Sequence, residues 1–286
     1  MHALEGRGMG ANNPATVIAN RSSLMQQIQD HVRVGYRYWT AGTVTLDRVH
    51  HWVEKAGKLY GVYADRNRRA RAKRRGEGCA VLLMHEFGTS RVLWWVLLVT
   101  GGDHAAHQLE TLKDAWDRSS RLKLAETGYE LCHITKPGTA AGRPALTFRM
   151  TTSCYENWRF RIVDTIRRGD DFTIRQIVES LHSAPGFHGI RKQVKACRAL
   201  LRATWKRSRA AAPALALPAR VYYLRRRGIV RIPLRAWLAD VRSRALPPVE
   251  GASELKAGAD GERLGRKPTR RKGQSSLSSE NAPRKN

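Results

Sequence analysis

Acidic residues are scarce in this 286-residue chain: 24 Asp and Glu stand against 52 Lys and Arg, a net charge of +28. A chain so one-sided repels itself unless a polyanion is near. Each phosphate that Lys or Arg neutralises releases condensed counterions, so nucleic acid is the expected partner. Cysteine is also sparse. Cys79, Cys132, Cys154 and Cys197 lie far apart with no Cys-x-x-Cys pair, which points away from a zinc knuckle or a disulfide framework and toward buried free thiols. The longest apolar run, Val92 to Val99, is too short to span a bilayer and reads as a buried strand. No long basic amphipathic helix with a lipid-facing stripe stands out, so no membrane partner is expected. The opening "MHALEGRGMGANNP" lacks the basic start and apolar core of a secretory signal, which favours the cytoplasm. No P-loop, dinucleotide fingerprint or Ser-centred nucleophile motif is present, which sets aside nucleotide hydrolysis and acyl transfer; no cofactor is expected.

What is there can build a core, since 42% of residues are hydrophobic. "SSLMQQIQDHVRVGYRYW" has near-helical spacing, with Ser22 or Ser23 as cap, and Gly42 breaks it. Thr45 can cap a second helix running from Leu46 to Tyr63. "CAVLLMHEF" and "RVLWWVLLVT", joined by "GTS", read as an antiparallel hairpin. Asp103 can cap a helix from His104 to Leu122 with Ala106, Leu109, Leu112 and Trp116 inward. "YELCHIT" and "PALTFRM" read as two further strands joined by "KPGTAAGR". The next helix ends at Gly169 with Arg167 and Arg168 in its last turn, where cations suit the helix dipole.

This order predicts an α+β fold, a mostly antiparallel sheet flanked by helices. Four regions are expected: a flexible N-terminus (1–20), an α+β core with a helical N-terminal part (21–169), a basic helical module (170–246) and a disordered basic tail (247–286).

Two cationic constellations stand out. Arg66, Arg68, Arg69, Arg71, Lys73, Arg74 and Arg75 crowd the stretch before the first core strand and are expected at the sheet edge as a phosphate-binding surface. On the helix after Gly189, Arg191, Lys195, Arg198 and Arg202 recur at steps of four, three and four, with Lys192 beside them. Ile190, Val194, Cys197 and Leu201 keep the same steps one position earlier, so one face docks and its neighbour is cationic. Before this helix comes a short one capped by Asp170 or Asp171, stopped at Pro185 and Gly186. After it, "RVYYLRRRGIVRI" reads as strand, basic turn and strand, with Arg225, Arg226 and Arg227 at the tip, and "LRAWLADVRSRAL" as a closing helix.

In layout, residues 170–232 resemble a winged helix-turn-helix domain. That resemblance implies a second helix in the DNA major groove and a wing on the flanking backbone. The Arg- and Ala-rich style of the chain also resembles proteins carried by plasmids or integrating elements of high-GC bacteria, which implies replication, partition or regulation.

Other chemistries find only partial motifs in the sequence. His104 and His107, between Asp103 and Glu110, have a His-x-x-His spacing but no identifiable third ligand, so no metal site is expected. Rolling-circle initiators need a His-hydrophobic-His strand, and the strands here offer only His85 and His133. "HGIR" at His188 to Arg191 matches a tyrosine-recombinase box by chance, without the other boxes. The hairpin, helix, hairpin order is similar to RNA-recognition and CRISPR RNA-processing proteins, with His50, His51 and Tyr63 near the Arg66 to Arg75 cluster as candidate bases. Aromatics interleave cations at Gly35 to Trp39 and at Val221 to Arg227; core packing is the favoured reading for Trp39 and Tyr222 over base stacking. The expectation is a nucleic-acid-binding protein, DNA favoured over RNA, with no assigned catalytic residue and a homodimer left open. The alternatives are an RNA-processing endonuclease with a ferredoxin-like sheet and a non-catalytic RNA-binding factor.

Overall fold

The central ladder is built by three antiparallel strands whose β-branched and aromatic residues pack well on a pleated surface. Strand β2 (Tyr38–Thr45) pairs with β4 (Val92–Val99) in the register Tyr38↔Val99 to Thr45↔Val92, and β3 (Ala80–Glu86) pairs with the other side of β4. The computed structural model describes residues 15–88, 92–124, 127–134, 145–209, 211–218, 221–223 and 228–245. Lys113–Asp114 (β5) adds a short edge, giving the order β3-β4-β2-β5. A second antiparallel sheet joins β6 (Lys123–Leu124), β7 (Tyr129–Ile134) and β8 (Ala145–Met150), and a two-stranded one joins β1 (Thr16–Ile18) and β9 (Arg231–Pro233).

Both faces of the four-stranded sheet are covered, as its period-two alternation requires. Val81, Leu83, Trp94, Val96 and Leu98 face α1 (Arg21–Arg33) and the largest core cluster. Met84, Leu93, Leu97 and Val99 point the other way, toward α2 (Val49–Tyr60), α4 (Ala105–Leu109) and α8 (Leu234–Ala245). The remaining helices are α3 (Arg66–Arg74), α5 (Thr152–Arg168), α6 (Asp171–His182) and α7 (His188–Ser208). Residues on both sides of the 169/170 division share one buried cluster, from Ile18 to Leu201. The fold is mixed α+β with antiparallel sheets, as its sequence order implies.

Several expected boundaries move. The first helix stops at Arg33, and Tyr38 and Trp39 belong to β2, where Thr40, Thr43, Val44 and Thr45 favour extended backbone. Gly42 lies inside that strand opposite Trp95, whose ring would stand 2.9 Å from a Cβ there. Thr45 caps nothing: α2 begins at Val49 with no side-chain cap. Asn20, rather than Ser22 or Ser23, caps α1, its Oδ1 accepting from Ser22 N at 2.8 Å.

The long helix expected from His104 to Leu122 is a five-residue helix capped by His104, not Asp103, followed by β5 and turns. Asp114 accepts from Trp116 N at 2.9 Å and Asp117 from Ser119 N at 3.0 Å, local bonds that compete with helix. Leu109 and Trp116, expected inward, are exposed, and Trp116 stacks on His133 at 3.9 Å.

Helix α5 ends at Gly169 in the left-handed conformation, and Asp170 Oδ1 then caps α6 through Thr173 N at 2.9 Å. Helix α7 docks its first turn on β8 through Gly189, where a Cβ would lie 2.5 Å from the Phe148 carbonyl oxygen. Only glycine permits that approach.

Candidate nucleic-acid interface

Helix α3 contains six cations and no acid. Asp65 starts it by accepting from Arg68 N at 2.7 Å, and the negative charge suits the N-terminal dipole. Ala72 packs on the main cluster, so the helix has an inner side.

The seven expected phosphate ligands separate accordingly. Arg69 turns inward, its Nη2 donating to the Val62 carbonyl at 2.8 Å and its Nε buried without a partner among the described residues. Arg75 makes a two-pronged bond to Glu77, Nε to Oε1 at 2.6 Å and Nη2 to Oε2 at 2.8 Å, which holds the Glu77 carboxyl below its ordinary pKa. Lys73 Nζ reaches the Val34 carbonyl at 3.5 Å. Arg66, Arg68, Arg71 and Arg74 remain exposed, with no side-chain partner among the described residues. At 100° per residue they sweep roughly 200° of the helix surface.

On α7 the docking stripe is as the spacing requires: Ile190, Val194, Cys197 and Leu201 are fully buried. The cationic stripe is split. Arg198 is buried, its Nη2 bonded to the Pro218 carbonyl, and Arg191 lies over the Tyr223 ring, 3.3 Å from its centroid. The cause is the segment after α7. Trp205 Nε1 donates to the Pro213 carbonyl at 3.0 Å, and Leu215, Leu217 and Val221 pack on the core, so this segment covers one side of the cationic face. Lys192, Lys195 and Arg202 stay exposed. Lys206 is exposed too and follows Arg202 by four residues, a continuation of the stripe that the spacing already contained.

Arg225, Arg226 and Arg227 lie outside the described residues. Flanking them, 221–223 carry no strand, and β9 pairs with β1 instead of returning along a hairpin. Trp39 is buried and donates to the Ser120 carbonyl at 3.1 Å, in keeping with core packing. Tyr222 is not: it is 70% exposed and Tyr223 72%, a correction to the core reading. Spacing alone could not tell an inward tyrosine from one on an irregular segment.

The catalytic alternatives meet specific side-chain environments. His104 Nε2 bonds the Tyr60 carbonyl at 3.2 Å and His107 Nε2 the Thr100 carbonyl at 2.9 Å, so both rings are engaged by backbone. No group of three or more His, Cys, Asp or Glu is arranged to hold a metal among the described residues. Near α3, burial pushes the Tyr63 hydroxyl up to about 12, the wrong direction for a base at neutral pH. Among the described residues, no helix is long and apolar enough to cross a membrane. No family model, curated protein or solved structure matches this chain.

Proposed function

We propose that the protein binds nucleic acid, duplex DNA in preference to RNA, through the exposed cations of α3 and α7. The observation that carries this reading is α3: an acid-free helix whose Arg66, Arg68, Arg71 and Arg74 have no ion-pair partner among the described residues. A surface helix normally offsets its cations with i,i+4 acids, as Arg168 does with Asp164 on α5. Four unpaired guanidiniums are suited to phosphate, which they can grip in two-pronged fashion. Lys192, Lys195, Arg202 and Lys206 supply a second surface, and their contacts would be to the backbone, which sets position rather than sequence. A cytoplasmic role in the replication, partition or regulation of a mobile element fits this chemistry.

Duplex DNA is favoured over an RNA-recognition sheet because such sheets stack bases on an open aromatic face. Here the four-stranded sheet is packed on both faces. The test is a salt-titrated binding assay with duplex DNA and a structured RNA of equal length. The proposal expects tighter DNA binding with a steep negative salt dependence. Equal or tighter RNA binding, or cleavage of the RNA without added metal, would replace it with the RNA reading.

A further inference from the structure

Away from the outer surface of α3, its inner side helps to wall a cavity of about 320 Å³. Thr16 of β1, Gln27 and His31 of α1, Tyr63, Arg69 of α3 and Arg231 of β9 supply the polar lining, and Val81, Leu82 and Met84 at the sheet-edge strand β3 supply the apolar part. Two arginines far apart in the sequence therefore line one cavity. Among the described residues, no carboxylate lines it.

The donors are arranged to spare. Arg231 is oriented by Gln27 Oε1 at 2.7 Å and Thr16 Oγ1 at 3.5 Å, neither of which carries charge. Arg69 is held by the Val62 carbonyl and bonds the Tyr36 hydroxyl, leaving its Nε buried without a partner among the described residues. The Tyr63 hydroxyl is likewise buried and unpartnered. Buried donors of this kind are normally satisfied, and the side chains that carry these two line one cavity, which suits a ligand rich in acceptors. The field has the matching sign: His31 is pushed down to about 4 by burial, then by Arg69 and Arg231, with Asp30 opposing.

We propose that this cavity binds a small phosphate monoester, its phosphate held between Arg69 and Arg231 with the Tyr63 hydroxyl donating. Guanidinium forks match the oxygens of a tetrahedral oxyanion. The volume falls at the lower end of small-molecule sites, roughly 300–1,000 Å³, which leaves room for an organic group beside the phosphate. The apolar floor of Val81, Leu82 and Met84 suits that group. The phosphate can belong to a free ester or to the phosphorylated end of a nucleic-acid strand. The inference does not depend on polyanion binding by the outer face of α3.

The test titrates a nucleoside 5′-monophosphate, and separately inorganic phosphate, into the full chain against sodium chloride at matched ionic strength, reading heat and melting temperature. Saturable binding is expected, weakened about tenfold in Arg231→Gln, the loss of one charge-assisted contact. Arg231 is exposed, so this variant keeps the test valid even where Arg69→Gln fails to fold. Tyr63→Phe should weaken binding about threefold, as loss of a neutral donor does. Oligonucleotides with a 5′-phosphate or a 5′-hydroxyl separate the sources: a preference for the phosphate that Arg231→Gln abolishes assigns the strand end, and ester binding without it assigns a free ligand. The proposal is overturned by no saturable phosphate effect in either arm, or by affinity unchanged in both Arg231→Gln and Tyr63→Phe. Neutralising Arg66, Arg68, Arg71 and Arg74 tests the outer surface separately and should leave the monophosphate affinity intact.

Discussion

The guanidinium carbon of Arg191 stands 3.3 Å from the centroid of the Tyr223 ring, so a cation placed by its spacing on the open face of α7 is covered by an aromatic from the segment that follows. Its neighbour Arg198 is withdrawn further, buried against the Pro218 carbonyl. Both are covered within the fold, whereas Arg202 is exposed. Arg202→Gln is therefore expected to weaken DNA binding, and Arg191→Gln to leave it nearly unchanged. Tyr223→Ala should cost about 0.5–1 kcal/mol, the range of an exposed cation–π pair. Urea denaturation and a binding titration of the three variants check this; equal losses of affinity for Arg191→Gln and Arg202→Gln would show that the stack opens on binding.

Helix α3 gives the sharper electrostatic expectation. Replacing Arg66, Arg68, Arg71 and Arg74 by Gln removes four exposed cations and disturbs no packing, because Ala72 and Arg69 form the inner side. With about 0.9 in the salt slope for each phosphate neutralised on duplex DNA, the slope of log affinity against log salt should fall by roughly 3–4. Preference among DNA sequences should not change, since phosphate contacts carry no base information. An unchanged slope in the fourfold variant would remove α3 from the interface.

The parts of the fold that were legible in the sequence are those set by periodicity. The β3–β4 hairpin, the β7–β8 pair, α5 to its Gly169 stop and the docking stripe of α7 all follow from residues that must alternate or recur to be buried. What escaped was decided by contacts distant in the chain. The β1–β9 pair joins Val17 to Ile232 across nearly the whole sequence, and no local signal announces it. The segment 104–122 has helical apolar spacing, yet Asp114 and Asp117 turn it with their own side chains, and Arg37 locks Asp114 in place. The cationic patches were legible as composition but not as surface. That Arg69 and Arg198 turn inward depends on the carbonyls of Val62 and Pro218, seven and twenty residues away.

Glycine 189 tests how α7 is held. A Cβ at this position would lie 2.5 Å from the Phe148 carbonyl oxygen and 3.1 Å from the Arg149 Cβ, and the backbone of a strand paired along its length with β7 cannot yield as a side chain would. Gly189→Ala should lower the unfolding free energy by about 1–3 kcal/mol, the usual cost of overpacking, despite the better helix propensity of alanine. The urea midpoint measures it. A neutral or stabilising result would mean that α7 can slide on β8.

Acid titration examines the surroundings of His31. Its ring sits edge-on to Tyr36 at 5.2 Å between centroids, and burial, then Arg69 and Arg231, pushes it from the ordinary 6.5 to about 4. In the unfolded chain it takes up a proton near 6.5; in the folded chain it refuses one until about 4. Between these values the unfolded state binds more protons, so stability falls as pH drops through the window and levels off below it. The loss from this one ring is at most about 3 kcal/mol, at 1.36 kcal/mol per pH unit of displacement. His85, His104 and His133 are lowered by burial as well, so the wild-type slope contains their share. The difference between wild type and His31→Gln isolates His31: the variant should lose less stability between pH 6.5 and 4. Arg231→Gln, by removing one of the two cations, should raise the His31 pKa and shrink the same difference. Parallel unfolding curves for wild type and His31→Gln across that window would show that the ring is protonated in the fold, with the Arg69 and Arg231 field offset by Asp30.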